Sequence, residues 1–514
     1  MRFFTPDSLH INEKNFKSLL SFIKDGKHLL IQNTENKNLI AKFGDYSDIE
    51  NEEISSIRKD LYLLNSNDLF DESEFGINLF QTSKAEILSF ALADESYAFA
   101  DIRSNKDVFE YLRENYFEVL INNLAVARFW LRFWKVFFQK NRFDIALIFS
   151  GSLIYQRSAI ELLKFHTARV YILETYLTGN DFYIEERYSP IAGDSLLKYK
   201  NYYSKLDVPE TTHNYMKAIN KYLMGQNLNV KQPEPSNIQL FNNNQNTILI
   251  IGQVVNDFSL IENGIYSIDL YIDLISKIIS ETDYNIIFKA HPWEHRKANL
   301  KKPFTLNKLT TVFEPNERLK YVDNFNIGEL FKMASHVIVI NSQSGIDAAW
   351  NGIRPIVLTQ AFYSGKGFTT DLSDVDAVIR YIQNVDHSVM TLSEFKLFEQ
   401  YLIRSFLGHF VSKFPSGKLT LSKIFNFEKQ IPLYHKEEIT IKSSEQKKEN
   451  KSVPVTLIKK TAQSLDCIGL KKEKESKLVK KLKKTPVLYC LDSKYLLLRV
   501  FGKALRRCHE IFSN

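Results

Sequence analysis

An α/β fold of two doubly wound lobes, followed by a basic C-terminal tail, is what this sequence predicts, on three observations. Its 514 residues exceed what one hydrophobic core holds, so at least two domains are expected. From about residue 28, short apolar runs alternate with stretches of helical period, as parallel strands joined by crossover helices do. A polar, Asn-rich and Pro-containing stretch at 224–245, MGQNLNVKQPEPSNIQLFNNNQ, interrupts that alternation and reads as the link between lobes.

In the first lobe, HLLIQN (28–33), DIALIFS (144–150) and RVYILE (169–174) read as buried strands. LIYQRSAIELLKFHT between the last two has the three-to-four spacing of a crossover helix. In the second lobe the strands are NTILIIG (246–252), NIIFKA (285–290), HVIVIN (336–341) and RPIVLT (354–359). The helices are YSIDLYIDLISKIISET (266–282), NIGELFKMA (326–334) and SGIDAAWNG (344–352). A helix over 392–410 is placed to cross back to the first lobe.

Composition narrows the function classes. With 44% hydrophobic residues, 38 Phe and 25 Tyr, the chain is not a largely disordered one. The three cysteines, Cys467, Cys490 and Cys508, all near the C-terminus, offer neither a disulfide framework nor a zinc spacing, which fits a reducing cytoplasm. The N-terminus MRFFTPDSLHINEKN lacks the apolar core of a secretory signal, and no apolar run reaches the roughly 18 to 20 residues of a membrane helix. The apolar stretch 117–138 carries Arg128, Arg132 and Lys135 and reads as a packed amphipathic helix. The formal net charge of +7 sits in the tail, where residues 431–514 hold roughly twenty Lys and Arg against nine Asp and Glu. The remainder is slightly acidic, so no nucleic-acid partner is expected.

Ligands of open parallel sheets sit beyond the carboxyl ends of the strands. Three second-lobe loops there are polar: GQVVNDFS with Gln253 and Asp257, KAHPWEH with Lys289, His291 and Glu294, and NSQSG with Ser342, Gln343, Ser344 and Gly345. The last opens a helix, where hydroxyls, an amide and backbone N–H groups suit a phosphate; either serine alone could equally be a helix cap. His291 could be an idle loop histidine, and Asp257 could serve only to organise a turn. Asp374-Val-Asp376 reads as a helix cap, so no Asp-x-Asp metal loop is found.

Taken in order, strand–GQxxxD, strand–KxHP, strand–NSxSG–helix–GxRP and QAFYSGKGFTTD resemble the capsule polysaccharide synthesis family, which includes bacterial Kdo transferases. The likeness is strongest over 248–371 and extends more weakly through FDIALIFSGSLIYQRSA and VYILETYLTGNDFYIE. It implies a GT-B fold, two Rossmann-like domains facing across a cleft. Residues 1–223 would form the acceptor domain and 246–390 the nucleotide-sugar domain. Residues 391–430 would pack back on the body, and 431–514 would be a partly disordered tail.

The resemblance further implies retaining β-Kdo transfer from CMP-Kdo, without metal or other cofactor, to a glycan or lipid-linked glycan of capsule or lipopolysaccharide. On this chain the phosphate contacts fall on His291, Ser342 and Ser344, with Gln343 and Gly345 in the same loop. The acidic position of the helix, Glu in such families, is Asp347. Retention needs two displacements, so Asp257 is the candidate nucleophile, oriented by Gln253. Lys289 and His291 would stabilise the leaving phosphate. In the first lobe Glu174 is the candidate acid/base, the alternative being a buried structural contact. Ser150, Ser152, Tyr363 and Lys366 are candidate acceptor or sugar contacts. Lys-rich 470–511 suits an anionic membrane surface, implying a cytoplasmic chain peripheral at the inner membrane; a purely solvated tail is the alternative. Other functions compatible with the pattern are CMP- or CDP-dependent transfer of sialic acid or a polyol phosphate, a non-catalytic glycan-assembly role, and nucleotide-sugar epimerisation.

Overall fold

Among the described residues, fourteen strands are laid down in chain order: β1 (Arg2–Thr5), β2 (Leu29–Gln32), β3 (Ser73–Glu74), β4 (Ile77–Asn78), β5 (Ile145–Phe149), β6 (Arg169–Thr175), β7 (Asp181–Glu186), β8 (Thr247–Ile251), β9 (Asn285–Lys289), β10 (Leu319–Val322), β11 (His336–Val339), β12 (Ile356–Val357), β13 (Thr370–Asp371) and β14 (Phe410–Ser412). They come from a computed structural model that describes residues 1–94, 97, 104–176, 179, 181–191, 194–206, 233, 234, 236, 238–243, 245–295 and 304–425. The expected linker at 224–245 lies mostly, and the expected tail at 431–514 wholly, outside the described residues.

The second sheet runs β10-β9-β8-β11-β12-β13, all parallel. Counted within the lobe this is the order 3-2-1-4-5-6, with the chain reversing direction across the sheet between β8 and β11. Its inner strands TILII, NIIFK and HVIV are buried along their whole length, because helices cover both faces. The first sheet runs β14-β7-β6-β5-β1-β2. Its β1, β2, β5 and β6 are parallel, whereas β7 is antiparallel to both of its neighbours. Two parallel, Rossmann-like lobes in one compact unit, Met1–Asn426, make this a GT-B fold.

Several elements depart from the sequence expectation. Strand β1 was not foreseen, because only RFFT precedes Pro6 and a four-residue run carries little periodicity. The expected strand 354–359 pairs only over Ile356–Val357, since Pro355 has no N–H to give a ladder. Helix Leu392–Gly408 leads into β14, which pairs with β7, so the chain finishes its described course on the first sheet.

Helix starts are set by side-chain caps: Asn12, Asn51, Asn65, Asn78, Asn326 and Asp374 each accept a first-turn N–H, worth about 1 kcal/mol apiece. Helix Phe117–Lys140 buries Trp130 and Trp134, stacked 5.3 Å apart, and Trp134 Nε1 donates to the Tyr155 carbonyl at 2.8 Å. Among the described residues no helix is long and apolar enough to cross a membrane.

One hydrophobic cluster runs through both lobes. Where helix Leu79–Ala91 meets the loop after β8, Asn256 Nδ2 donates to the Ser89 carbonyl (3.0 Å) and Ser89 Oγ donates back to the Asn256 carbonyl (3.4 Å). Arg157 adds a bridge from the first lobe to Glu262 at 3.7 Å. These contacts fix where the loop carrying Asp257 stands relative to the first lobe.

Candidate active site between two Rossmann-like lobes

The crevice between the carboxyl ends of β8 and β11 is where a sheet of this order exposes backbone to a ligand. Gly252 follows β8 with no room for a side chain, since a Cβ would lie 2.8 Å from the Phe288 ring and 3.0 Å from the Lys289 carbonyl. Gln253 is 7% exposed; its Nε2 donates to Asn341 Oδ1 (2.7 Å) and Ser259 Oγ (2.8 Å). Asn341 Nδ2 returns a bond to the Ser259 carbonyl at 3.1 Å. Gln253 thus ties the loops after β8 and β11 together, and its buried Oε1 is left without a partner. A desolvated, unpaired acceptor at a crevice invites a ligand hydroxyl or N–H. Asp257 caps the helix Phe258–Glu262, Oδ1 accepting from Ser259 N at 2.8 Å, and remains partly exposed.

The serine loop after β11 is buttressed from behind. Tyr363 donates its hydroxyl to the Ser342 carbonyl at 2.6 Å, and a Cβ on Gly345 would stand 2.2 Å from that hydroxyl. Gly345 therefore serves to admit the tyrosine. Tyr363 is 0% exposed, so the expectation that it touches sugar is corrected: the ring is packing and its polar tip is spent on the loop. The expected row of open amides is also reduced. Ser344 N donates to Ser342 Oγ (3.3 Å), Gly345 N to the Ser342 carbonyl (3.0 Å) and Ile346 N to the Gln343 carbonyl (2.9 Å). What the loop offers is the partly exposed side chains of Ser342, Gln343 and Ser344, with Asp347 one turn on.

After β9, Lys289 and His291 have local jobs. Lys289 is 4% exposed and donates to the carbonyls of Ala290 (3.3 Å) and Asp323; burial lowers its proton affinity against the opposing Asp323 charge. The side chain therefore braces strand ends, and its expected place at a leaving phosphate has no support in its contacts. His291 Nδ1 accepts from Trp293 N at 3.1 Å, which puts the ring proton on Nε2. Glu294 is buried and accepts from Thr305 N and Oγ1. It belongs to the scaffold.

From the first lobe, the carboxyl end of β6 presents Glu174. Its Oε1 accepts from Thr175 N at 2.9 Å and from Thr175 Oγ1 at 3.3 Å. Burial pushes its pKa up to about 7; the Thr175 bonds and His10 oppose that rise, and the Asp257 carboxylate of the second lobe adds to it. Glu174 and Asp257 are thus electrostatic neighbours across the lobes. Ser150, left-handed at φ +57°, and Gly151, at φ +91°, make the sharp turn after β5. Ser150 is partly exposed; Ser152 is buried with its hydroxyl unpaired, a second orphan polar atom on this side. Nearby, burial and the Tyr401 and Asp347 neighbours keep Tyr176 protonated, so the end of β6 also faces the serine-loop helix.

Sequence reasoning missed the loop after β1, where Asp7 and His10 join this group. The signal available was a short apolar run ended by Pro6 and followed at once by an acid and a histidine. It also missed the partners of Lys366. That lysine is 8% exposed, donates to the Ser364 carbonyl at 3.0 Å and lies 5.0 Å from the Tyr203 ring, which Arg404 approaches at 4.7 Å. Burial brings Lys366 down to about 8 despite Asp371. Two cations on one ring suit an anion. No cluster of three or more His, Cys, Asp or Glu side chains spaced to hold a metal occurs among the described residues.

Comparison with known proteins completes the picture. A curated relative, the lipopolysaccharide-processing protein LpsZ of Rhizobium meliloti, is 25% identical over 159 residues, 30% of this chain and 32% of that one. The chain thus matches about a third of that relative's length. Among solved structures, the KpsC β-Kdo 2,4 transferase of Thermosulfurimonas dismutans is 18% identical, with TM-score 0.39 over 52% of this chain and 80% of that one. The KpsC β-Kdo 2,7 transferase of the same organism is 16% identical, with TM-score 0.35 over 57% and 89%. Residues 183–399, which hold every second-lobe loop described above, match the family described as capsule polysaccharide biosynthesis protein.

Proposed function

We propose that the protein is a retaining glycosyltransferase that moves Kdo from CMP-Kdo to a glycan acceptor of capsule or lipopolysaccharide. The observation that carries this reading is the pairing of Glu174 and Asp257: two carboxylates from opposite lobes, one raised to about 7 and one partly exposed at the switch-point crevice. Carboxylates held in unlike environments divide into an acid/base and a nucleophile. The names of the similar KpsC structures supply the sugar, and the family supplies the polymer class.

In the first displacement the Asp257 carboxylate attacks the anomeric carbon, and the bond from that carbon to the phosphate oxygen breaks with its electrons leaving on CMP. Asp257 Oδ1 is anchored to Ser259 N, so Oδ2 is the attacking oxygen. His291 Nε2–H and the hydroxyls of Ser342 and Ser344 meet the charge that grows on the phosphate. In the second displacement the acceptor hydroxyl attacks the same carbon, Glu174 takes its proton, and Asp257 leaves. Two inversions give retention. Gln253 Oε1 accepts from a sugar hydroxyl, and Lys366 with Arg404 holds the sugar carboxylate. Ser150 and Ser152 lie on the acceptor side. The basic segment 470–511 would bring the chain to an anionic inner-membrane surface bearing lipid-linked acceptors.

The test is CMP release and acceptor-product mass from CMP-Kdo generated in situ, with wild type and Asp257→Ala in parallel. Turnover by the wild type, its loss in the variant and a Kdo–protein adduct trapped on Asp257 are expected. Turnover that survives in Asp257→Ala removes the double displacement. Absence of wild-type turnover with CMP-Kdo, alongside reaction of another nucleotide donor, removes Kdo.

A further inference from the structure

One face of the first sheet is covered by two helices packed side by side, Glu13–Asp25 and Gly417–Phe425. Phe16, Leu19, Phe22 and Ile23 of the first and Leu421 and Phe425 of the second sink onto the sheet, the Phe22 and Phe425 rings 5.6 Å apart. The chain between β14 and the second helix is pinned to the first. Ser18 N donates to the Lys413 carbonyl at 2.7 Å, and Ser18 Oγ donates to the Ser412 carbonyl at 2.6 Å. What these elements turn outward is one-sided in charge. Lys14, Lys17 and Lys24 are exposed on the first helix and Lys423 on the second, with Lys413 and Lys418 partly exposed. The acids on the two helices are Glu13 and Asp25, and Asp25 is spent on Lys418. Among these lysines stand two large apolar side chains, Phe414 at 48% exposure and Leu419 at 68%, with Lys413 Nζ 5.6 Å from the Phe414 ring centroid.

A solvated helix face accounts for surface lysines, and single exposed apolar residues are ordinary. The combination is not: lysines with scarcely an acid among them, interleaved with exposed Phe and Leu, on a body that is otherwise slightly acidic. Ammonium groups that meet lipid phosphates, with aromatic and aliphatic side chains that enter the interface, are what an anionic bilayer selects. A soluble polyanion would use the charge and leave Phe414 and Leu419 in water. We infer that this two-helix face, with the adjoining 413–417 loop, docks the folded body on an anionic lipid bilayer. The docking has a direction. β14 is antiparallel to β7 and β7 to β6, so the 413–417 loop leaves the sheet at the same edge as Glu174. A bilayer there lies on the acceptor side, where a lipid-linked glycan would be presented; that consequence alone rests on the glycosyltransferase reading.

The experiment uses the full chain, so the basic segment 470–511 is the same in every sample. Phe414→Trp and Phe165→Trp are each mixed with vesicles of phosphatidylcholine and phosphatidylglycerol brominated on their acyl chains, and the tryptophan emission is compared with that of wild type. Phe165, 82% exposed, follows helix Ile154–Leu163, which packs on the opposite side of the sheet. Quenching of the added indole is expected at 414 and not at 165, and neither is quenched by phosphatidylcholine alone. No quenching at 414, or equal quenching at both positions, overturns the inference. In a second arm, Lys17→Ala with Lys423→Ala is expected to weaken vesicle binding about 25-fold, at about fivefold for each lysine near the surface. Lys59→Ala with Lys140→Ala, on helices of the opposite side, is the control; a fall no greater than the control's overturns the inference. Binding of dextran sulfate through Lys17 and Lys423, with no quenching at 414, would give the face to a soluble polyanion and overturn it equally. No CMP-Kdo enters these readouts, so a failed turnover assay leaves the docking result standing.

Discussion

Replacing Glu174 with Gln is expected to stabilise the protein while stopping its turnover. Gln is neutral at every pH and retains an Oε1 to accept the two Thr175 bonds. Burial is the main reason the Glu174 carboxyl rises from 4.5 to about 7 in the folded chain. A raised carboxyl contributes stability that is complete below the unfolded pKa and lost as pH climbs through the folded one. The difference of about 2.5 units corresponds to roughly 3 kcal/mol against the folded ionised form. The variant should therefore differ from wild type by under about 1 kcal/mol at pH 5 and by roughly 3 kcal/mol, in the variant's favour, at pH 8.5. Urea unfolding at the two pH values measures this, provided the slope with denaturant is unchanged. A variant less stable than wild type at both pH values, with no gap opening toward alkaline pH, would refute the argument that Glu174 is a desolvated, strained carboxyl kept for chemistry.

Lys366, brought down to about 8 by burial, should lose its charge above that pH. The KM for CMP-Kdo is then expected to rise up to roughly tenfold between pH 7 and 9, and Lys366→Arg should flatten the rise; a steady wild-type KM counts against an anion contact. Gly345→Ala puts a Cβ 2.2 Å from the Tyr363 hydroxyl and should cost about 1–3 kcal/mol, partly recovered by adding Tyr363→Leu. Simple additivity in the double variant would show that the two residues do not share this space. Asn256→Ala leaves the Ser89 carbonyl without its inter-lobe donor, at a cost of about 1–3 kcal/mol, and hydrogen exchange should accelerate in Leu79–Ala91 and Phe258–Glu262. Unchanged exchange there would move the lobe contact elsewhere.

The second lobe was legible because its signals are local. TILII, NIIFK and HVIV are unbroken apolar runs, which buried parallel strands must be, and each ends in a polar loop whose residues are contiguous in sequence. Asp374 was read correctly as a cap, its carboxylate accepting from Asp376 N and Ala377 N, because capping is decided within four residues. Tyr363 and Lys289 were misjudged for the opposite reason. Their types and positions suit a ligand, but whether a side chain faces a crevice or the core depends on neighbours far along the chain, here the Ser342 carbonyl and that of Asp323.

The sequence by itself determined that this is a two-lobed α/β chain with polar strand-end loops at 252–259, 289–295 and 341–345, since hydrophobic period and strand-end composition are properties of short segments. Only the tertiary structure decided what surrounds each acid. Asp7, Glu174 and Asp257 span 250 positions of chain and stand on loops or strand ends of two separate sheets; burial raises Glu174, and its own bonds and neighbours hold Asp7 below the usual carboxylate value, which no local pattern encodes.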